Sequence, residues 1–151
     1  MNICNLEEKI VLTVKIDFKE ELLSSEDPML RDFSIMLRKG EIEFSLKGKG
    51  IATIDWGDGT IEDRELSWSV IYEVDGKEYE SDHEISLEHK YAKAAEYTIT
   101  ITGKILELEC PNINLTNIDL SNSHSLIKLD CSGNRLLNLN VNSNKTLIIK
   151  T

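Results

Sequence analysis

The stretch LIKLDCSGNRL, residues 126–136, contains the most informative pattern in this chain. Its apolar residues recur 21 positions earlier, so that Leu108 corresponds to Leu129 and Cys110 corresponds to Cys131. Eight positions match in this way in the C-terminal third of the chain, as identical or as apolar residues. So many matches at one offset in a short segment identify an internal repeat.

Each repeat unit predicts a short strand with one buried face. In the Leu-x-Cys arrangement of residues 129–131 both side chains lie on the same face, because successive side chains of a strand alternate. Stacked units bury these faces as one core. We therefore expect Cys110 and Cys131 in a buried ladder, as small hydrophobic residues; a disulfide between them is the less favoured alternative. A second apolar pattern, at 115–120 and 136–141, indicates a flat coil with two extended sides.

The second unit resembles the short, cysteine-bearing leucine-rich repeats of bacterial surface proteins, in which L-x-x-L-D-C-S-x-N-x-L recurs. The first unit departs from this pattern, because Ile113 stands where the second unit has Asn134. We expect the Asn134 amide to bond backbone groups of the neighbouring coil. In a partial third unit Lys150 takes the position of Leu129. The predicted units are residues 105–125, 126–146 and the partial 147–151.

The first hundred residues are typical of β-strands separated by turns. Apolar and polar residues alternate in segments rich in β-branched side chains. The run Gly48-Lys49-Gly50 is predicted to end one strand, and Asp75-Gly76 is a strong hairpin signal between two others. Strands at a spacing of about ten residues favour a β-sandwich. The predicted strands are residues 9–18, 42–46, 51–56, 66–74, 77–80 and 97–102.

Two segments of this region together resemble the PKD family, an immunoglobulin-like sandwich of bacterial extracellular proteins. IDWGDGT, residues 54–60, is similar to the family's W-x-F-G-D-G-x signature, and HKYAKAAEYTITI, residues 89–101, is similar to its closing strand. Ala95 stands where the family prefers glycine, and residues 62–82 form a longer insertion than a plain PKD domain has. The resemblance implies a structural role for His89, and display or adhesion rather than catalysis.

We therefore predict an all-β chain in which a PKD-like (immunoglobulin-like) β-sandwich, residues 1–103, caps a leucine-rich-repeat β-solenoid of about two coils, residues 104–151. The composition changes at the same place. Of the net charge of −10, residues 104–151 hold +1, so residues 1–103 hold −11. Two coils bury too little apolar surface to fold alone. We expect the sandwich and the coils to share one core.

The Asp/Gly turn suggests a metal site. Asp55 and Asp58 offer the oxygen ligands that calcium prefers, but a calcium loop needs about five ligand positions at set spacing. The favoured alternative is that Asp58 bonds the backbone of its own turn. His83 and His89 lack further ligands at zinc spacing, and the sequence contains no nucleophile elbow or phosphate-binding loop. We expect no enzyme activity, and no cofactor unless calcium binds here.

Two outward surfaces of the coils are candidates for ligand binding. The residues predicted on one side are Glu107, Glu109, Lys128 and Asp130. The residues predicted on the other side are Asn117, Asp119, Asn138 and Asn140. Acid and amide groups suit carbohydrate or peptide ligands; the favoured alternative is that these are ordinary solvated faces. Trp68, in the insertion, is the one aromatic residue that we predict at a binding site.

The sequence thus favours a non-catalytic surface recognition or adhesion module that binds protein or glycan. The alternative is a structural spacer, or an N-terminal cap of a leucine-rich-repeat array, without a ligand of its own. The acidic charge disfavours nucleic acid, no apolar run is long enough for membrane insertion, and we expect a monomer. The resemblance implies an extracellular or cell-surface location; the first residues lack a signal-peptide pattern, which leaves a cytoplasmic location open.

Overall fold

The computed structural model describes residues 7–17, 28–29, 40–67, 70–81, 83–142, 144 and 146–151. The prediction of an all-β chain is confirmed, because the described residues form ten β-strands. Eight strands belong to one sheet, and two form a separate hairpin. The strands are β1 (Lys9–Ile16), β2 (Glu41–Asp55), β3 (Ile61–Leu66), β4 (Val70–Val74), β5 (Lys77–Ser81), β6 (Ile85–Lys90), β7 (Ala95–Glu109), β8 (Leu115–Asn122), β9 (Lys128–Asp130) and β10 (Ile148–Lys150).

β7 is the central strand of the large sheet. Its first half pairs antiparallel with β1, where Leu12 lies opposite Ile99. Its other edge pairs antiparallel with β2, where Ile54 lies opposite Ile101. All four side chains are fully buried, because strand alternation turns them to the same interior. β7 continues past Gly103 as an unbroken strand, so the predicted boundary between the two regions falls inside it.

The division of residues 42–46 and 51–56 into two strands is wrong. The structure has a single strand, β2, which passes through both glycines of the intervening segment. Gly48 lets β7 approach so closely that a Cβ atom there would lie 2.3 Å from the Lys104 carbonyl oxygen. At Gly50, where φ is 77°, β2 bulges and its register to β7 shifts. The glycines therefore bend the strand instead of ending it.

The repeat takes the form of a parallel β-ladder. The end of β7, then β9, then β10 lie side by side, with Leu108, Leu129 and Ile149 in register. The pairing of Leu108 with Leu129 has the offset that the repeat predicts. The prediction that Lys150 takes the position of Leu129 is wrong. Ile149 takes it, because the last turn of the chain is one residue shorter, and Lys150 lies beside Asp130 instead.

Asn134 ties neighbouring turns of the chain together, as its place in the repeat predicts. Its Oδ1 accepts the N–H groups of Ile113 at 2.9 Å and of Leu115 at 3.0 Å. Its Nδ2 donates to the carbonyls of Cys110 at 2.8 Å and of Cys131 at 3.0 Å. One half-buried amide thus satisfies backbone groups of both repeat units.

The two cysteines of the repeat lie in the buried ladder, as expected. Cys110 and Cys131 are both free and almost fully buried. Burial raises the pKa of each thiol above its ordinary value. The thiols therefore stay protonated at neutral pH and pack as small apolar groups.

The second side of the repeat is a strand in the first unit. It is β8, which pairs antiparallel with β1, so that Ile118 lies opposite Leu12. In the second unit the corresponding residues 136–141 form no strand. Just before them, the Arg135 N–H donates to the Leu115 carbonyl at the start of β8, at 2.9 Å. Only the first unit therefore has a strand on this side.

β1 joins the two predicted regions, because it lies between β7 and β8. Polar contacts hold both of its ends. The Glu8 carboxylate accepts the N–H of Ser125 at 2.7 Å and its hydroxyl at 2.8 Å. At the other end Asn114 Nδ2 donates to the Lys15 carbonyl at 2.6 Å. These contacts link residues about a hundred positions apart and fix the N-terminal strand against the repeat.

One hydrophobic cluster extends through the whole large sheet. It contains Trp56 and Ile99 from the first region and Leu129 and Cys131 from the repeat. The expectation of a shared core is confirmed. Trp56 is fully inside this core, since its side chain is inaccessible to solvent.

The hairpin of β4 and β5 forms at the predicted Asp-Gly turn. Asp75 and Gly76 have φ values of 53° and 76°, and this left-handed pair matches the twist of the two strands. The hairpin is a sheet of its own and belongs to the predicted insertion, residues 62–82.

Candidate functional site

The turn between β2 and β3 is held by its own aspartates. Asp55 Oδ1 accepts the Gly57 N–H at 3.0 Å, and Asp58 Oδ1 accepts the Thr60 N–H at 3.0 Å. Such bonds from a side chain to the backbone two residues on close tight turns. The interpretation of Asp58 as a turn residue is thus confirmed, and the structure shows that Asp55 has the same role.

The described residues provide no further ligands for a calcium ion at Asp55 and Asp58. Asp58 Oδ2 lies 2.7 Å from His89 Nε2, so both carboxylate oxygens of Asp58 already have partners. In the described part of the chain, no three His, Cys, Asp or Glu side chains form a group that could hold a metal ion. Calcium takes about six to eight oxygen ligands. Calcium binding here stays a prediction that this geometry does not favour.

Trp56, His89, Tyr91 and Tyr97 form one aromatic cluster. The rings of Trp56 and His89 are nearly parallel, with centroids 4.5 Å apart, and those of Tyr91 and Tyr97 are 4.0 Å apart. The Tyr91 hydroxyl donates to the Trp56 carbonyl at 2.7 Å. The cluster brings together the two segments on which the PKD resemblance depends, since Trp56 belongs to the first and the other three to the second.

His89 and Asp58 have the spacing of a catalytic pair but not its surroundings. The imidazole stacks on Trp56 and meets the Tyr91 ring edge-on at 4.7 Å. Within the residues that the structure describes, no hydroxyl or thiol is hydrogen-bonded to His89, as the nucleophile of a catalytic pair would be. Its geometry suits a structural contact between the turn and β6.

We expect the contact of Asp58 with His89 to make the fold acid-sensitive. Burial raises the pKa of Asp58, but hydrogen bonds from His89 and Thr60 outweigh it and hold that pKa below its ordinary value of 3.8. Because the folded pKa is depressed, this stabilisation is complete above the unfolded pKa and is lost as pH falls through the folded pKa.

The variant Asp58→Asn should therefore lose less thermal stability on acidification than the wild type. Between about pH 5 and pH 2.5 we expect its Tm to fall by about 2 °C less. Thermal melts followed by circular dichroism measure this difference. Asp75→Asn, at the tip of the hairpin, is the control and should follow the wild type. Equal acid sensitivity of Asp58→Asn and the wild type would contradict the role of this contact.

The outward side chains of the parallel ladder form a charged face, made of Glu107, Glu109, Lys128 and Asp130. Glu107 lies beside Lys128, and Glu109 lies beside Asp130, on neighbouring strands. From β2, Lys47 reaches Glu107 and forms an ion pair at 3.3 Å. The structure therefore brings together all four residues that the sequence predicts for this side.

The members of the charged face differ in how they are held. Asp130 Oδ1 accepts the Ser132 N–H at 3.0 Å and its hydroxyl at 2.6 Å. Burial raises the pKa of Asp130, but these bonds outweigh it and lower that pKa, so the group is ionised at neutral pH. Glu109 and Lys128 make no hydrogen bond through their side chains within the described residues. They border a depression of about 170 Å³ together with Ile148 and Lys150.

The charged face continues across β2 and β6. Ser45 of β2 lies opposite Glu109 on one side and opposite Ser86 of β6 on the other. A shallow depression of about 320 Å³ lies at the far end, and its lining includes Glu41, Glu43, Glu88 and Lys90. The outward surface is thus five strands wide and carries charges of both signs.

A second groove, here called the asparagine groove, lies between β8 and residues 138–142. It has a volume of about 240 Å³ and polar side chains from two rows: Asn117, Asp119 and Ser121 in one, and Asn138, Asn140 and Asn142 in the other. The four residues predicted for this side are therefore together. The sequence analysis missed Ser121 and Asn142, although their separation of 21 residues is that of the repeat.

Trp68, the aromatic residue predicted at a binding site, lies outside the described residues. Comparisons with protein-family models, curated proteins and solved structures found no match to this chain. The two family resemblances therefore rest on the residues quoted for them. No helix among the described residues has the length and apolar character that crossing a membrane requires.

Proposed function

We propose that this protein is a non-catalytic recognition or adhesion module of the bacterial cell surface that binds protein or glycan. In this proposal residues 1–103 are a PKD-like sandwich that caps a leucine-rich-repeat solenoid, residues 104–151. The aromatic cluster supports the first part, because it unites the two segments that resemble the PKD family. The parallel ladder supports the second part, because its first pairing follows the repeat.

The charged face is the observation on which the recognition function depends. Its side chains project from β7 and β9, and both strands are paired on each edge, so the backbone beneath them is rigid. Binding groups on paired strands are positioned more accurately than groups on loops. Glu109 and Lys128 carry opposite charges, and neither side chain makes a hydrogen bond to another described residue. Fixed charges of both signs suit a protein ligand with a complementary pattern.

The test is a binding screen of the purified chain against extracellular proteins and a glycan array. We expect the double variant Glu109→Gln/Lys128→Gln to weaken binding of a protein ligand at least tenfold, which is about 1.4 kcal/mol. The control Lys93→Gln/Glu96→Gln also removes one base and one acid, but from the exposed bend before β7 and from its first residues, and it should bind as the wild type does. A chain that binds nothing in the screen would overturn the recognition function.

A spacer or cap without a ligand is the second candidate, and one observation favours it. The first half of β7 pairs with β1, whereas its last residues, Glu107 to Glu109, are the first rung of the parallel ladder. The N-terminal region thereby supplies a preformed strand on which later turns stack. If the protein is such a cap, the screen should detect no ligand, either for the wild type or for variants of the charged face.

A further inference from the structure

The folding of the repeat region does not explain all of its asparagines. Nine of the eleven asparagines in the chain follow residue 104. Asn112 and Asn114 have positive φ values of 55° and 57°, a conformation that asparagine adopts more readily than most residues. Asn134 and Asn144 donate to carbonyls of the preceding repeat unit. These four asparagines have structural tasks.

The side chains of Asn117, Asn138 and Asn142 have no such structural role. All three side chains are exposed, and they make no hydrogen bond to any other residue that the structure describes. Asn117 stands in the middle of β8, where asparagine is disfavoured and β-branched residues are preferred. A residue that opposes its local structure without a compensating contact indicates a functional constraint.

The same three side chains line the asparagine groove in a regular arrangement. Along β8 the outward positions are every second residue, because strand side chains alternate. The facing row stands one repeat later in the sequence. At the offset of 21 residues Asn117 corresponds to Asn138, Asp119 to Asn140 and Ser121 to Asn142, and all six line the groove. Two parallel rows of small polar groups therefore face the solvent across one groove.

Part of each row is fixed in place. Asp119 Oδ1 accepts the Ser121 N–H at 2.9 Å, and Asn140 Oδ1 accepts the Asn142 N–H at 3.0 Å. These bonds hold the middle of the groove without using the amides of Asn117, Asn138 or Asn142. The groove therefore combines a preorganised centre with unused donors and acceptors at its ends, which lowers the ordering cost of binding.

We propose that the asparagine groove binds a neutral carbohydrate. Each amide presents two N–H donors and a carbonyl acceptor, and sugar hydroxyls both donate and accept in the same way. The described residues that line the groove include no Lys or Arg, and Asp119 contributes a negative charge. These residues therefore offer an anionic ligand such as phosphate no partner of opposite charge. This inference rests on the proposed recognition function and gives it a ligand class and a site apart from the charged face.

The experiment applies the full chain to an array of neutral and acidic oligosaccharides. The neutral oligosaccharide with the strongest signal is then titrated by calorimetry. We expect binding of neutral sugars and at least a tenfold loss of affinity in Asn117→Ala/Asn138→Ala, with an unchanged Tm. Asn122→Ala is the matched control, because it removes an amide from the same strand outside the groove, and it should bind as the wild type does.

Three results would overturn the inference: no neutral sugar bound, acidic sugars preferred, or equal affinity of the double variant and the wild type. The protein arm of the screen separates this failure from failure of the proposed function. Loss of protein binding in Glu109→Gln/Lys128→Gln with no sugar binding would retain the recognition function and reject the carbohydrate site. A chain without any ligand would reject both.

Discussion

Replacing Gly57 with alanine is expected to lower the free energy of unfolding by about 4 kcal/mol, near the upper limit for single substitutions. Gly57 has a φ of 82°, which costs an L-residue about 1–2 kcal/mol. A Cβ atom there would also lie 2.3 Å from the Thr98 carbonyl oxygen, which is backbone of the central strand β7. Because Thr98 pairs with Thr13 of β1, the β7 backbone cannot move away without disturbing that pairing.

Gly59 provides a matched control within the same turn. Its φ is 95°, but a Cβ atom there would meet nothing within 4 Å. Gly59→Ala therefore isolates the conformational cost, and we expect a loss of about 1–2 kcal/mol. Urea denaturation followed by circular dichroism compares the two variants. If both lost the same free energy, the close approach of the turn to β7 would not contribute to stability.

Replacing Asn134 with alanine is expected to lower the free energy of unfolding by about 3 kcal/mol. The side chain accepts the N–H groups of Ile113 and Leu115 and donates to the Cys110 carbonyl. Alanine would leave these backbone groups without their partner in a largely buried place. An unpaired buried donor or acceptor costs about 1–3 kcal/mol, and water reaching one of them would reduce the total. Chemical denaturation measures the loss.

Two further variants separate the parts of this effect. Asn138→Ala removes an exposed amide from the same repeat unit and should change stability by no more than about 0.5 kcal/mol. Asn134→Asp keeps the acceptor oxygen for Ile113 and Leu115 but loses the donor to the carbonyls, so it should also destabilise the fold. A stable Asn134→Asp protein would show that only the acceptor side of the amide matters.

Local patterns predicted a large part of this structure. The alternation of apolar residues identified the buried faces of β1, β2 and β7, and Asp75-Gly76 identified the hairpin. The offset of 21 residues identified the partner of Leu108 in the ladder, because parallel stacking of similar turns pairs equivalent positions. The same offset correctly predicted that Glu107, Glu109, Lys128 and Asp130 share one face.

Other predictions failed where neighbouring segments changed the local outcome. Gly48 and Gly50 are residues that often end a strand, and the sequence predicted such an end here. In the structure, pairing with β7 keeps β2 extended through both glycines. Ile149 rather than Lys150 lies beside Leu129, because burial of an apolar side chain prevailed over the repeat length.

Sequence patterns alone identified the residues that face inward, the position of the hairpin turn, and the equivalent positions of the ladder. These features depend on side chains close together in the chain or repeated at one period. The place of β1 between β7 and β8, the contact of Glu8 with Ser125, and the continuation of the charged face onto β2 and β6 became evident from the folded chain. No local pattern predicts them, because alternation specifies the buried face of a strand but not its neighbour. Backbone hydrogen-bonding groups are the same in every residue, so the choice of neighbour follows from packing of the whole core.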